Sequence, residues 1–109
     1  MKSDREGELY LRYVFDWDPQ KAKTNVQKHR GISFDRATTI FRDPNMVSIF
    51  DDDHSENEDR WITLGVDSTG TLLVVIHTFE TTAPKITKIR IISARKADRP
   101  ETQTYQEAL

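Results

Sequence analysis

Residues 60–79, RWITLGVDSTGTLLVVIHTF, contain two strand patterns separated by a turn. Residues 60–66 alternate between two faces, which is the period of a β-strand. Asp67-Ser68-Thr69-Gly70 has the composition of a turn, so residues 72–79 are predicted to pair back as a β-hairpin. The apolar run 72–76 is unbroken, which indicates a central strand covered on both faces. The hairpin therefore predicts a fold organised around a sheet.

The flanking segments add strands on both sides of this hairpin. Residues 9–17 place large apolar side chains at every second position, which predicts a strand. A short strand is predicted at 46–50. After a connection at 81–84, residues 85–93 alternate again and predict a further strand.

Three segments predict helices. Asp18 and Pro19 are suited to the N-cap and first position of the first helix, and Gly31 is suited to follow its end. The inward face of this helix is predicted to carry Ala22, Val26 and His29. Ser33 is predicted to cap a second helix that ends before Asp43-Pro44. The inward residues of this second helix are predicted to be Phe34, Ala37, Ile40 and Phe41.

A terminal helix is predicted from Asp98 through Tyr105. The order β-α-α-β-β-β-β-α predicts one α+β domain with a mainly antiparallel sheet, two amino-terminal helices and a carboxy-terminal helix. We expect residues 1–8 to form a flexible tail and residues 9–109 to form the domain.

The charge is distributed unevenly. The chain of 109 residues has a formal net charge of −2, yet residues 51–59 carry six acidic side chains and no Lys or Arg, so the remainder is at +4. This arithmetic permits a nucleic-acid partner without requiring one. The longest apolar run is five residues and no secretory signal is recognisable, so we expect a cytoplasmic protein that is not in a membrane.

Several kinds of site are disfavoured by the residue types and their spacing. The chain has no cysteine, and its three histidines lack the spacing of a zinc site. Read as a calcium loop from Asp51, the sixth position is Glu56 and the twelfth is Ile62, where Gly and Glu are needed. Four glycines supply no phosphate-binding loop. We therefore predict neither metal nor cofactor.

What remains is a set of histidines and cations on or beside the predicted sheet. Taken singly, each is read more simply as a strand-end or ion-paired residue. Together they offer imidazoles that titrate near neutral pH and guanidinium groups that stay charged, so they indicate a possible phosphate site. The set comprises His29, His54, Arg60, His77, Lys88, Arg90 and Arg95.

Ordered blocks over about residues 13–107 resemble the BrnT family of toxins from bacterial type II toxin–antitoxin pairs. Residues 15–29, with Phe15, Trp17-Asp18, Lys21-Ala22, Asn25 and Lys28-His29, resemble its opening F-x-WDxxKAxxNxxKHG. Arg30 departs from that pattern by separating His29 from Gly31. Further blocks are Ile32-Ser33-Phe34 with Ala37, Phe41 and Asp43-Pro44; Asp53-His54-Ser55-Glu56 with Glu58, Arg60 and Gly65; Val75-Ile76-His77-Thr78; and Arg90-Ile91-Ile92-Ser93-Ala94-Arg95-Lys96-Ala97 with Tyr105.

The resemblance implies a RelE-like fold and a metal-independent endoribonuclease that cleaves RNA and inhibits translation. It also implies a BrnA-like antitoxin that forms a 2:2 heterotetramer with the toxin. The antitoxin would bind operator DNA, and the toxin would contact this DNA only through the antitoxin. On this reading Arg60, His77, Arg90 and Arg95 contact the phosphate, and His54, Glu58 and His29 are candidates for proton transfer. Two other readings stay open: a non-catalytic module that docks the antitoxin and assists operon repression, and a degenerate toxin.

Overall fold

Five strands and three α-helices form the part of the chain that the computed structural model describes, residues 12–109. The strands are β1 (Arg12–Trp17), β2 (Val47–Phe50), β3 (Trp61–Val66), β4 (Leu72–Ala83) and β5 (Ile86–Lys96). The helices are α1 (Pro19–Lys28), α2 (Phe34–Thr38) and α3 (Arg99–Glu107), with 3₁₀ turns at Thr39–Arg42 and Asp52–His54. The predicted α+β domain and its element order are confirmed. The predicted tail 1–8 and strand residues 9–11 lie outside the described residues.

The sheet is mixed, with strand order β1-β5-β4-β3-β2. The pairs β2–β3, β3–β4 and β4–β5 are antiparallel, whereas β1 runs parallel to β5 with Arg12 opposite Ile86. The sequence predicted a mainly antiparallel sheet and did not predict that the edge strand β1 pairs in parallel with β5. Strands joined by short turns must be antiparallel, but no such turn constrains two strands from opposite ends of the chain.

The predicted hairpin is β3–β4, and β4 is the middle strand of the sheet. Leu73, Val74 and Val75 are buried, as the apolar run predicts. Gly65 lets the 3₁₀ turn after α2 approach β3, because a Cβ at this position would lie 2.9 Å from the Cβ of Ile40. A strand glycine therefore fixes the distance between the sheet and the helical layer.

The turn of this hairpin is tied to α2 through Asp67. Its carboxylate accepts hydrogen bonds from the backbone N–H groups of Thr69 and Thr71 and pairs with Arg36 at 2.8 Å. Burial alone would raise the pKa of Asp67, but these partners lower it below its ordinary value. The turn and the second helix consequently form one hydrogen-bonded unit.

The strand boundaries between β4 and β5 differ from the prediction. Residues 81–83 continue β4 instead of connecting it, and a two-residue turn at Pro84-Lys85 leads directly into β5. Lys85 has φ of 66°, which supplies the left-handed backbone that a tight hairpin turn requires. The extension of β4 agrees with the strand propensity of Thr81 and Thr82, and Pro84 marks the turn.

Helices α1 and α2 pack on one face of the sheet. All four residues predicted to face inward from the second helical segment are buried, and Ser33 caps α2 by accepting from the N–H of Arg36. The prediction for α1 was wrong at Val26, which is 39% exposed, whereas Asn25 is only 4% exposed. The helix turns a polar residue to the sheet because that residue satisfies backbone groups of two other segments.

Helix α3 covers one end of the opposite face, where Tyr105 packs with Leu64 and Val74. Asp98 begins α3 in a reciprocal capping box with Glu101. The Tyr105 hydroxyl donates to Asp43, and this bond raises the pKa of Tyr105 to about 12. No described helix is long and apolar enough to cross a membrane.

Candidate active site

The segment between β2 and β3 forms an open pocket of about 330 Å³. Its ends are joined by a hydrogen bond of 2.9 Å from the Asp51 N–H to the Arg60 carbonyl. The Ser55 hydroxyl donates to the Asp51 carbonyl and accepts from the Arg60 N–H, so it binds both ends together. We call this the loop pocket, and its lining residues are Asp53, His54, Glu56, Asn57, Glu58 and Arg60.

His54 is held in the loop pocket by Asp51. The Nδ1 atom lies 3.1 Å from both carboxylate oxygens, while the side chain is 67% exposed. An ionised carboxylate only accepts hydrogen bonds, so Nδ1 carries the proton in the neutral ring and Nε2 keeps its lone pair. The pair therefore presents a basic nitrogen toward solvent in a fixed tautomer.

Arg60 supplies the cation of the loop pocket, and its side chain is 32% exposed. Its Nε lies 3.7 Å from a Glu58 oxygen, which is an ion pair but too long for a hydrogen bond. Within residues 12–109 this buried Nε has no hydrogen-bond partner. The guanidinium is thus positioned without being committed to a protein acceptor.

His77 does not reach the loop pocket. It is fully buried, with Nε2 2.6 Å from the Thr63 hydroxyl and Nδ1 3.2 Å from the Thr78 carbonyl. Phe41 and Phe79 pack edge-on against its ring. Burial lowers the pKa of His77 to about 4, so the ring is neutral near pH 7. The predicted phosphate contact fails on geometry, because a neutral ring enclosed in the core meets no solvent-borne phosphate.

Arg90 lies on a different part of the sheet, where β5 pairs with β1. Its Nη1 donates to Asp16 at 2.8 Å, and Lys88 approaches the same carboxylate at 3.2 Å. Arg90 is therefore an ion-paired residue on a face of the sheet, which is the simpler interpretation that the sequence also allowed. Arg90 does not line the loop pocket; it pairs with Thr78 of β4, one residue beyond the His77 that pairs with Trp61.

Arg95 and His29 meet in a second pocket, of about 300 Å³, on the side of α1 and β5. Arg95 forms a bidentate pair with Glu101 at 2.8 and 2.7 Å. This hydrogen-bonded pairing raises the pKa of Arg95 and lowers that of Glu101 to about 2. The seven predicted site residues thus divide among four places, and the loop pocket holds three: His54, Glu58 and Arg60.

Sequence reasoning missed the residues that position these side chains. Asp51 was considered only as part of an acidic stretch and as the first position of a disfavoured calcium loop, and the linking role of Ser55 was not predicted. The spacing Asp51-x-x-His54 could have revealed the pair, because residues three apart meet in one helical turn. Within residues 12–109, no three His, Asp or Glu side chains are arranged to hold a metal ion.

A small α+β domain that combines an aspartate-held histidine with an uncommitted arginine has the groups for acid–base chemistry on phosphates. A family described as "Ribonuclease toxin, BrnT, of type II toxin-antitoxin system" matches residues 17–101. The chain therefore belongs to the BrnT family, and the predicted resemblance is confirmed.

The fold is also similar to that of a crystal structure of the Brucella abortus ribonuclease toxin BrnT. The TM-score is 0.53 at 20% sequence identity, over 81% of this chain and 99% of that one. No curated protein sequence matches the chain. The further likeness to RelE-type ribonucleases stays a prediction.

Proposed function

We propose that this chain is a metal-independent endoribonuclease toxin whose chemistry takes place in the loop pocket. The observation that carries the proposal is the His54–Asp51 pair beside Arg60, in one open pocket. The family description, ribonuclease toxin, supports the reaction class. A pocket open to solvent can admit a flexible RNA strand, whose phosphodiester carries its own nucleophile in the 2′-hydroxyl.

In the proposed reaction, Nε2 of His54 takes the proton of the 2′-hydroxyl. The O2′–P bond forms and the P–O5′ bond breaks, which leaves a 2′,3′-cyclic phosphate and a 5′-hydroxyl. Arg60 stabilises the additional negative charge on the pentacoordinate phosphorus, and the departing 5′ oxygen takes a proton from solvent. Glu58 lies 3.7 Å from Nε of Arg60 and is the second candidate for proton transfer in the loop pocket. A positioned base contributes about 10²–10⁴-fold to such a reaction.

The partner of this toxin is a BrnA-like antitoxin that forms a 2:2 heterotetramer and carries the operator-binding part. We expect acidic residues of the antitoxin to bury Arg60 and Arg95 in the complex. We place toxin and antitoxin in the cytoplasm, where cleavage of RNA by the free toxin inhibits translation.

The acidic lining of the loop pocket favours a second candidate function. Asp53, Glu56 and Glu58 place three carboxylates around one arginine, and carboxylates repel phosphate. A non-catalytic module that docks a cationic segment of the antitoxin and assists operon repression would use the same lining. The two functions differ in whether the purified protein cleaves RNA.

The test combines inducible expression with an assay on purified protein. We expect growth arrest and RNA cleavage by the wild type, and loss of both in Arg60→Ala and His54→Ala, with Arg90→Ala as the matched control. Cleavage should persist in EDTA. Absence of cleavage by the wild type at any concentration would overturn the endoribonuclease and favour the binding module instead. Full toxicity of Arg60→Ala and His54→Ala would overturn the site, and EDTA-sensitive cleavage would overturn metal independence.

A further inference from the structure

A continuous groove between α1 and the end of β5 is lined by cations. It consists of the pocket that holds His29 and Arg95 and an adjoining pocket of about 210 Å³ that shares Lys28 with it. Among residues 12–109, no acidic residue lines either pocket. We call this the basic groove, and its ionisable residues are Lys21, Lys28, His29, Arg30, Arg95 and Lys96.

The charge of the basic groove is high for this protein. Five Lys and Arg side chains line it, in a chain whose formal net charge is −2. Among the described contacts, Glu101 neutralises Arg95. The remaining cations repel one another, and an anionic ligand would relieve that repulsion.

Buried hydrogen bonds fix the two walls of the groove relative to each other. The Asn25 carboxamide donates to the Ile32 carbonyl at 3.0 Å and to the Ala94 carbonyl at 2.8 Å. It also accepts from the Ala94 N–H at 3.1 Å. Ala94 directly precedes the β5 cations, and Ile32 follows the cationic end of α1. One buried side chain therefore holds both cationic segments in place.

The backbone at the end of α1 turns sharply to present these cations. Arg30 has φ of 51° and Gly31 has φ of 85°. This is an ordinary left-handed ending of a helix, in which the Gly31 N–H donates to the Val26 carbonyl at 2.9 Å. The inserted Arg30, which departs from the family pattern, thus adds a cation at the mouth of the groove.

From this arrangement we infer that the basic groove binds the phosphodiester backbone of RNA at a distance from the segment that is cleaved, because Arg95 pairs with Val74 of β4 whereas Arg60 precedes Trp61, which pairs with His77. The inference rests on the proposed function, since it names a second contact of the same substrate. Lys21 and Lys28 lie two turns apart on one face of α1, about 10 Å along the helix, and Arg30, Arg95 and Lys96 continue the line. Several phosphates can be contacted in succession. The described part of the chain contributes no aromatic side chain to the lining, so the contact is independent of base identity.

The experiment measures binding of a labelled 20-nucleotide oligouridylate and its cleavage as functions of salt. The variant is Lys28→Gln/Arg30→Gln/Lys96→Gln, all at exposed positions. Lys23→Gln is the control, since it lies on the opposite side of α1 and outside both pockets. Each phosphate contact on a single strand contributes about 0.7 to the slope of log affinity against log salt, so three lost contacts lower the slope by about 2. We then expect the affinity of the triple variant for RNA at 0.1 M salt to fall about 10²-fold. Cleavage should weaken through a higher KM, while kcat stays the same.

An unchanged salt slope in the triple variant would overturn the inference. So would a variant that binds RNA normally but loses binding of poly-glutamate, because the groove would then be a site for an acidic protein segment. If the wild type cleaves no RNA and the slope still falls by about 2, the proposed function fails while the groove stands. If the wild type cleaves RNA and the salt slope is unchanged in the triple variant, the proposed function stands and the inference about the basic groove fails.

Discussion

The loop pocket and the basic groove are both open surface depressions, but they are built from opposite charges. The loop pocket places one arginine and one histidine among three carboxylates. Of the residues that the structure describes, five lysines and arginines and no acidic residue line the basic groove. Carboxylates beside a histidine fix its tautomer, whereas carboxylates beside a phosphate-binding cation compete with the ligand. The loop pocket is therefore suited to proton transfer, and the basic groove is suited to electrostatic binding of an anion.

The largest expected effect tests the proton-transfer side of this comparison. Asp51→Asn replaces a carboxylate that only accepts hydrogen bonds with an amide that can also donate to Nδ1 of His54, so Nε2 is no longer fixed as the base. We expect the rate of RNA cleavage to fall by about 10²-fold or more while KM changes little. The matched control is Asp52→Asn in the same turn, which should leave the rate unchanged. Equal rates for both variants would show that the acidic residues act only through their total charge.

The next effect tests whether the basic groove depends on its buried polar anchor. Asn25→Ala removes three hydrogen bonds and leaves backbone groups of Ile32 and Ala94 without their side-chain partner. We expect the free energy of unfolding to fall by about 2–4 kcal/mol, measured by urea denaturation. Gln27→Ala, at an exposed position of the same helix, should change it by less than about 0.5 kcal/mol. A small loss in Asn25→Ala would mean that the two walls are held by apolar packing alone.

Much of the fold could be predicted from local patterns, and the exceptions have physical reasons. Period-two alternation and caps such as Asp18, Ser33 and Asp98 identified the elements, because these signals lie within a few residues of each other. The burial of Asn25 in place of Val26 could not be predicted, because it depends on carbonyl and N–H groups of Ala94, 69 residues away.

The candidate site was less predictable than the fold. The sequence supplied the residue types but not their grouping, so His77 was placed with Arg60 although it lies in the core. Strand alternation assigns a side chain to a face of the sheet without telling whether that face is covered. The basic groove was missed because its cations come from two segments about 65 residues apart in the chain, which only the α1–β5 packing brings together.

The smallest effect concerns Glu101, the acid that pairs with a cation of the basic groove. Its pKa is lowered from 4.5 to about 2 by the hydrogen bond to Arg95, so the unfolded chain binds more protons than the folded chain between these values. The pair therefore stabilises the fold above about pH 4.5, and this contribution is lost as pH falls toward 2. Because Arg95 is 40% exposed, solvent screening limits the contribution to about 1 kcal/mol.

Glu101→Gln has opposite expected consequences at the basic groove: it lowers the free energy of unfolding, and it strengthens the binding of RNA. The amide keeps an oxygen that can accept from the Asp98 N–H, so the capping box of α3 is retained in part. We expect urea denaturation near pH 7 to show a loss of about 1 kcal/mol relative to the wild type, which vanishes near pH 2. The same change frees Arg95 for phosphate, so the salt slope of RNA binding should steepen by about 0.7. Glu107→Gln on the same helix is the control and should alter neither quantity. A slope that stays constant in Glu101→Gln would show that Arg95 is a structural cation and that RNA is bound by the remaining cations of the groove.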